Sequence, residues 1–232
     1  MKDWRDAELA QFFLTGVRGA IPLADTQLEV ISRIVREFVP EVRNFIDLGC
    51  GDGVIGRYIH DQYPAAKGIY LDYSEPMIAE LRKKVKYESH VITGDYSKEH
   101  WLSLIEKDRP FDLILSGYSI HHLPDDDKKI LYKRIYDLLG KGGLFLNLEH
   151  VSSASPRLEA IHDDIFIDAI TGFSNGAKSR ETVKSEYENR DDKVLNLLVP
   201  VEEQCNWLRE TGFTHVDCYF KLFELALFGG VK

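Results

Sequence analysis

The sequence predicts a doubly wound α/β fold with a seven-stranded, mostly parallel sheet. Three observations carry this. Short apolar runs alternate with segments of helical period along most of the chain. The first run breaks into a glycine-rich bend ahead of a helix, as a βαβ unit begins. Two closing runs separated by almost nothing should pair antiparallel at a sheet edge.

Residues 8–15 and 24–39 read as helices; in the second, Leu28, Ile31, Ile34, Val35 and Phe38 recur at helical spacing and Pro40 closes it. Phe45 to Leu48 is the first strand, Gly49-Cys50-Gly51-Asp52-Gly53 the bend, and 54–63 the helix that follows. The second strand, Gly68 to Asp72, ends on an acid, and Ser74 can cap the next helix with Pro76 in its first turn. Val91 to Asp95 and Phe111 to Ser116 are the third and fourth strands, the latter apolar enough to be buried on both faces. A helix over 125–139 places Asp125, Asp126 and Asp127 at its positive end. Gly140 to Gly143 form a turn into the fifth strand, Leu144 to Leu148. Residues 151–199 interrupt the rhythm with helices over 156–172 and 178–191, before a helix at 201–211, a Gly212 cap and strands at 214–221 and 223–231.

The 232 residues, 44% hydrophobic, suffice for a single domain with one sizeable core. Lys and Arg total 29 against 38 Asp and Glu, a net charge of −9 that argues against a nucleic-acid partner. Cys50, Cys205 and Cys218 are too few and too scattered for a disulfide framework or a zinc knuckle. The charged start lacks the apolar core of a signal peptide, and no run of 18 apolar residues occurs. These features lead us to expect a cytoplasmic protein without a membrane span; a homodimer is compatible with them.

In open parallel sheets, ligands bind beyond the carboxyl ends of the strands. Asp47 to Gly53, Asp72, Asp95 and Ser116 all fall at such ends, on one rim. Gly49 and Gly51 allow a tight turn and a close ligand approach. Asp72 can accept hydrogen bonds from both hydroxyls of a ribose, and Asp95 from an exocyclic amine. Asp47 can pair with a ligand's ammonium or fix the loop. The bend does not complete G-x-G-x-x-G, since Val54 stands third and Gly56 comes two positions late, so a phosphate-free adenosyl ligand fits better than a pyrophosphate.

The run Phe45-Ile46-Asp47-Leu48-Gly49-Cys50-Gly51-Asp52-Gly53 resembles the first motif of the class I S-adenosylmethionine-dependent methyltransferases, which are Rossmann-like. Tyr70 to Ser74, Gly94-Asp95-Tyr96, Phe111 to Ser116 and Leu138 to Gly143 resemble the motifs that follow. The resemblance implies S-adenosylmethionine as cofactor and S-adenosylhomocysteine as product. It places Gly49, Cys50 and Gly51 against the amino-acid part, Asp72 on the ribose, Tyr73, Met77, Asp95 and Tyr96 about the adenine, and Ser116 near the sulfonium. It makes residues 1–40 a helical lid, 45–150 the cofactor-binding core, 151–199 a substrate cap and 200–232 the closing elements. The segments Val17 to Pro22 and Tyr219 to Phe223 are similar to the carboxy-S-adenosylmethionine synthases. Those enzymes hold an extra carboxylate with an arginine in the helix before the final Gly-Phe; the matching position here is Trp207, with Arg209 two residues on, which favours ordinary S-adenosylmethionine.

Transfer from a sulfonium asks mainly for alignment and exclusion of water. Where the acceptor must lose a proton, His121, Glu149 and His150 at the same rim are the candidate bases, with His122 beside them. No metal site is fixed by spacing, although Glu149-His150 and His162-Asp163 could converge on a divalent ion; solvated helix charge explains the second pair equally. Phe166, Ile167 and Ile170 form a stripe that serves a core face or a substrate, and Lys178 to Lys193 reads as a solvated helix. The leading expectation is a methyltransferase for a small-molecule acceptor. A carboxy-S-adenosylmethionine synthase-like or tRNA-modifying enzyme, and a non-catalytic cofactor-binding module, are the alternatives.

Overall fold

The computed structural model describes residues 5–7 and 18–232; the helix expected over 8–15 lies outside them. The strands are β1 (Asn44–Leu48), β2 (Lys67–Asp72), β3 (Ser89–Thr93), β4 (Phe111–Gly117), β5 (Leu139–His150), β6 (Thr214–Leu222) and β7 (Leu225–Val231). The helices are α1 (Ala24–Phe38), α2 (Val54–Gln62), α3 (Glu75–Arg82), α4 (His100–Ile105), α5 (Asp125–Leu138), α6 (Pro156–Phe173), α7 (Arg180–Glu188) and α8 (Val201–Thr211). The strands form one sheet in the order β3-β2-β1-β4-β5-β7-β6. Every pairing from β3 to β5 is parallel. β7 pairs antiparallel with both β5 and β6. The expected architecture is therefore the observed one, with β6 at the edge and β7 wedged inside it.

Alternation of side chains along the strands feeds two cores. Ile46, Leu48, Ile69, Leu71 and Ile114 face a layer made by α4, α5 and α8, with Trp101, Tyr132 and Leu208 fully covered. Phe45, Tyr70, Leu113 and Leu115 face the layer of α1, α2 and α3. Strand order reverses between β1 and β4, which makes their carboxyl ends the switch point of the sheet.

Several elements differ from the sequence expectation. The short α4 has no sequence signal beyond Trp101 and Ile105; it exists because those two side chains are buried. β3 ends at Thr93, so Gly94 and Asp95 form the loop rather than the strand end. Gly140 to Gly143 are not a free turn but an irregularity within β5, where the register against β4 shifts between Phe111 and Leu113. α7 stops at Glu188 and is not wholly solvated, since Val183 and Tyr187 are buried. The caps follow the sequence: Ser74 accepts from the Met77 N–H, and Gly212 ends α8 at φ 114°.

His60, on α2, is buried with Nε2 at 2.9 Å from the Ala66 carbonyl and Nδ1 at 3.3 Å from the Tyr70 hydroxyl. Burial holds its imidazole below the ordinary range, opposed in part by the Ala66 carbonyl. The fold thus favours neutral His60. Its contribution to stability is present above the unfolded value of about 6.5 and is lost as pH falls from there toward the lower folded value. Thermal melts of His60→Gln should therefore show a smaller loss of Tm between pH 7.5 and 5.5 than the wild type; an unchanged slope would contradict this.

Candidate active site

The bend after β1 is built from left-handed glycines. Gly49, Gly51 and Gly53 have φ of 64°, 54° and 78°. A Cβ at Gly49 would sit 1.9 Å from the Ser119 hydroxyl oxygen, so both conformation and space demand glycine. Backbone N–H groups of Gly49 and Cys50 donate to the Leu71 carbonyl, and that of Gly51 donates to Asp72 Oδ2 at 2.7 Å. The other Asp72 oxygen accepts from Ser74 N–H at 2.8 Å. Burial raises the Asp72 carboxyl above its usual range, opposed by the N–H groups of Ser74, Gly51 and Tyr73. Asp47 points the other way along the loop, where its Oδ2 accepts the buried N–H of Gly56 at 2.9 Å and fixes the start of α2.

These groups border one cavity of about 980 Å³, which continues from the strand ends to beneath α6 and α7. That is the upper end of the range for small-ligand sites. Asp47, Gly49, Cys50, Gly51, Asp72 and Tyr73 line it, as do Met77, Asp95 and Tyr96. Asp95 is exposed and turns one oxygen to the Ser97 N–H at 2.9 Å, leaving the other without a bond in its own turn. Tyr96 is buried, with its hydroxyl 2.7 Å from the Ser119 oxygen. Ser116 does not reach the cavity. Its hydroxyl donates to the Leu48 carbonyl at 2.8 Å and ties β4 to β1; Gly117, Tyr118 and Ser119 supply the wall instead.

Of the three candidate bases, His121 and His150 line the cavity and Glu149 does not. Glu149 is fully buried behind His121, with Oε1 2.5 Å from His121 Nδ1 and Oε2 accepting the His121 N–H at 3.0 Å. Burial pushes Glu149 up to about 7, opposed by the His150 N–H, and pushes His121 well below the ordinary imidazole range. Asn196 also hydrogen-bonds the His121 side chain. His122 also lines the cavity, with Nδ1 3.1 Å from the Leu195 carbonyl.

His150 Nε2 lies 2.8 Å from Glu224 Oε2, and His162 Nε2 lies 3.8 Å from the same oxygen. Burial lowers His162 to about 4. Of the two pairs read from the sequence as metal candidates, only His150 and His162 meet. Glu149 is committed to His121, and Asp163 lies 3.9 Å from Lys193. Glu224 carried no sequence signal, because only the β6–β7 turn brings it to the site. Tyr118 was also silent; held at φ 51°, it donates its hydroxyl to Gln27 Oε1 at 3.0 Å and joins the cavity wall to α1.

The roof comes from α6 and α7. Phe166 and Ile170 line the cavity, whereas Ile167 is buried in a small core with Val183 and Tyr187. A Cβ on Gly19 would lie 2.2 Å from the Phe173 ring, so the segment Arg18–Ala20 rests directly on the end of α6. Arg209 and Trp207 are remote from this space. The Arg209 guanidinium bonds Asn206 and the Val216 carbonyl, and Trp207 is buried beneath Lys129.

A glycine bend bound to an acid at the end of the next strand, at the switch point of a seven-stranded sheet, defines a nucleoside-binding α/β enzyme. Comparison with known proteins shows what the chain resembles. Residues 45–143 match the model of a methyltransferase domain. Carboxy-S-adenosyl-L-methionine synthase of Shewanella amazonensis is 25% identical over 98% of this chain and 91% of its own length. That of Nitratiruptor is 26% identical over 98% and 92%. Human N-acetylserotonin methyltransferase, solved in complex with SAM, aligns at a TM-score of 0.62 and 16% identity over 99% of this chain, which spans only 57% of that longer one. These likenesses support the class I S-adenosylmethionine-dependent methyltransferase superfamily, with similarity to the carboxy-S-adenosylmethionine synthases, and S-adenosylmethionine as the cofactor.

Replacing Asp72 with Ala should weaken S-adenosylhomocysteine binding by about 1.5–3 kcal/mol, as expected for lost hydrogen bonds to a charged group. Calorimetry is the check, and unchanged affinity would mean that the ribose lies elsewhere. In the same assay Gly49→Ala should abolish measurable binding, because the added methyl displaces Ser119.

Proposed function

We propose that this chain transfers the methyl group of S-adenosylmethionine to a small-molecule acceptor held beneath α6 and α7. The observation that carries the proposal is the continuity of the cavity: one space of about 980 Å³ joins the acid-lined strand ends to an apolar roof with histidines on its wall. An adenosyl cofactor laid along the bend leaves room beside its sulfur. In this arrangement Asp72 holds the ribose hydroxyls, Asp95, Tyr73, Met77 and Tyr96 enclose the adenine, and the left-handed glycines admit the amino-acid portion. When bound, the cofactor supplies an already activated methyl group.

The protein's part is then to align the acceptor, exclude water and, where needed, remove a proton. His121 is the proposed base, and Glu149 is its positioning residue, fixing the ring through Nδ1 and through the backbone. The apolar roof of Phe166, Ile170 and Phe173 excludes water from the transfer line. No helix among the described residues is long and apolar enough to cross a membrane, and the three cysteines are free, which supports a reducing, cytoplasmic setting.

A second reading is favoured by the nearly full-length similarity to carboxy-S-adenosylmethionine synthases. A carboxylated cofactor needs a cation, and Arg190 offers one on the cavity wall, with its guanidinium 3.9 Å from the Tyr187 ring centroid. Mass spectrometry of the ligand that copurifies separates the two readings, since the carboxylated cofactor is heavier.

Incubation with S-adenosylmethionine and a panel of hydroxyl, amine and carboxylate metabolites should yield S-adenosylhomocysteine with at least one acceptor; failure to bind S-adenosylhomocysteine by calorimetry would end the proposal. For an acceptor that loses a proton, His121→Ala should lower kcat by about 10²–10⁴-fold with cofactor affinity retained. A fall in affinity equal to the fall in kcat would count against a base.

A further inference from the structure

We infer that His150, His162 and Glu224 form a binding site for one divalent first-row transition-metal ion, of the zinc or cobalt type, on the wall of the acceptor cavity. The three side chains come from unrelated parts of the chain: the end of β5, the middle of α6 and the β6–β7 turn. One imidazole nitrogen from each histidine and one Glu224 oxygen all lie within 4.8 Å of one another. Two imidazoles and one carboxylate with an open side is a donor set that suits these ions, with water or substrate completing the coordination.

The separations fit a site that closes on its ion. Metal bonds of about 2.0–2.2 Å place neighbouring ligand atoms roughly 3–3.5 Å apart. Glu224 Oε2 is 2.8 Å from His150 Nε2 and 3.8 Å from His162 Nε2, so side-chain adjustments on the order of an ångström complete the set.

The surroundings argue for a cation as well. Glu224 is 3% exposed and has no lysine or arginine within salt-bridge distance among the described residues; its ionic partners are the two histidines. A buried carboxylate whose partners are two imidazoles and the Ser153 side chain has no lysine or arginine among the described residues to offset its charge, and a cation beside it would do so. Its position is also enforced. Val151 N–H donates to the Glu224 carbonyl at 2.8 Å, and the preceding Phe223 is held at φ 51°, a left-handed conformation costly to a bulky residue. His150 and His162 both line the cavity, so the open positions of the ion face the acceptor. There they can take a hydroxyl or carboxylate oxygen, which directs an oxygen-bearing acceptor toward the proposed base. That use of the ion rests on the proposed function; the site itself does not.

The test is equilibrium titration of chelator-treated, full-length protein with Co²⁺, followed by its visible d–d absorption, and then displacement with Zn²⁺. One Co²⁺ per chain is expected, with the intensity of a four- or five-coordinate site. His162→Ala and Glu224→Gln should each weaken Co²⁺ binding at least 10-fold while S-adenosylhomocysteine affinity, measured on the same samples, stays within twofold. Retained cofactor affinity shows that the variants are folded, and His162→Gln replaces any variant that loses it. No stoichiometric binding in the wild type, or binding that survives both substitutions, overturns the inference. Loss of S-adenosylhomocysteine binding in the wild type would instead strike the proposed function and leave the metal result to stand alone.

Discussion

The clasp between the bend after β1 and the end of β2 is the constraint on which the site depends. Three backbone N–H groups of the bend, from Gly49, Cys50 and Gly51, are spent on the Leu71 carbonyl and the Asp72 carboxylate. Buried backbone donors must be paired, and here their acceptors lie on the neighbouring parallel strand. The arrangement forces the chain through left-handed angles that only glycine adopts without strain. It also leaves Asp72 a buried carboxylate at the cavity edge. On the opposite side of the loop, Asp47 takes the Gly56 N–H and anchors the first turn of α2. One short segment is thus held from both ends, and the open face between them is what a nucleoside can occupy.

The rest of the cavity is assembled around that fixed edge. Tyr96 and Ser119 meet behind Gly49 and close the floor, so the bend could not carry a side chain even if its angles allowed one. The roof has a different character. α6 and α7 hold a small core of their own, with Phe166, Ile167, Val183, Tyr187 and Leu225, and meet the sheet at the β6–β7 turn. A roof with a separate core can vary in sequence without disturbing the sheet, which is how one cofactor fold serves many acceptors. The two buried histidine–glutamate pairs lie at this junction, where burial drives His121, Glu149 and His162 toward their neutral forms.

Much of this was legible in the sequence because it is local. The glycine bend, the Ser74 cap, the acid ending β2 and the Gly212 cap are each short patterns whose conformational consequence does not depend on distant residues. Ser116 shows the limit of such reading. Its place at a strand end was legible, but which face its hydroxyl took was not, and it went to the Leu48 carbonyl instead of the ligand. α4 was silent for a related reason: six residues have no periodicity to detect, and only burial of Trp101 and Ile105 makes them a helix.

By itself the sequence determined the order of the elements, the glycine bend and the line of strand ends that face a ligand, because alternation and turn chemistry act over a few residues. Only the tertiary structure decided that Glu149 stands behind His121 and does not face the cavity, that Glu224 joins His150 and His162, and that Arg190 reaches the cavity while Arg209 does not. Glu149 and His121 are 28 positions apart in the chain, and Glu224 and His150 are 74 apart. Their meeting is fixed by β7 inserting between β5 and β6 and by α6 folding back over the rim, neither of which any local pattern encodes.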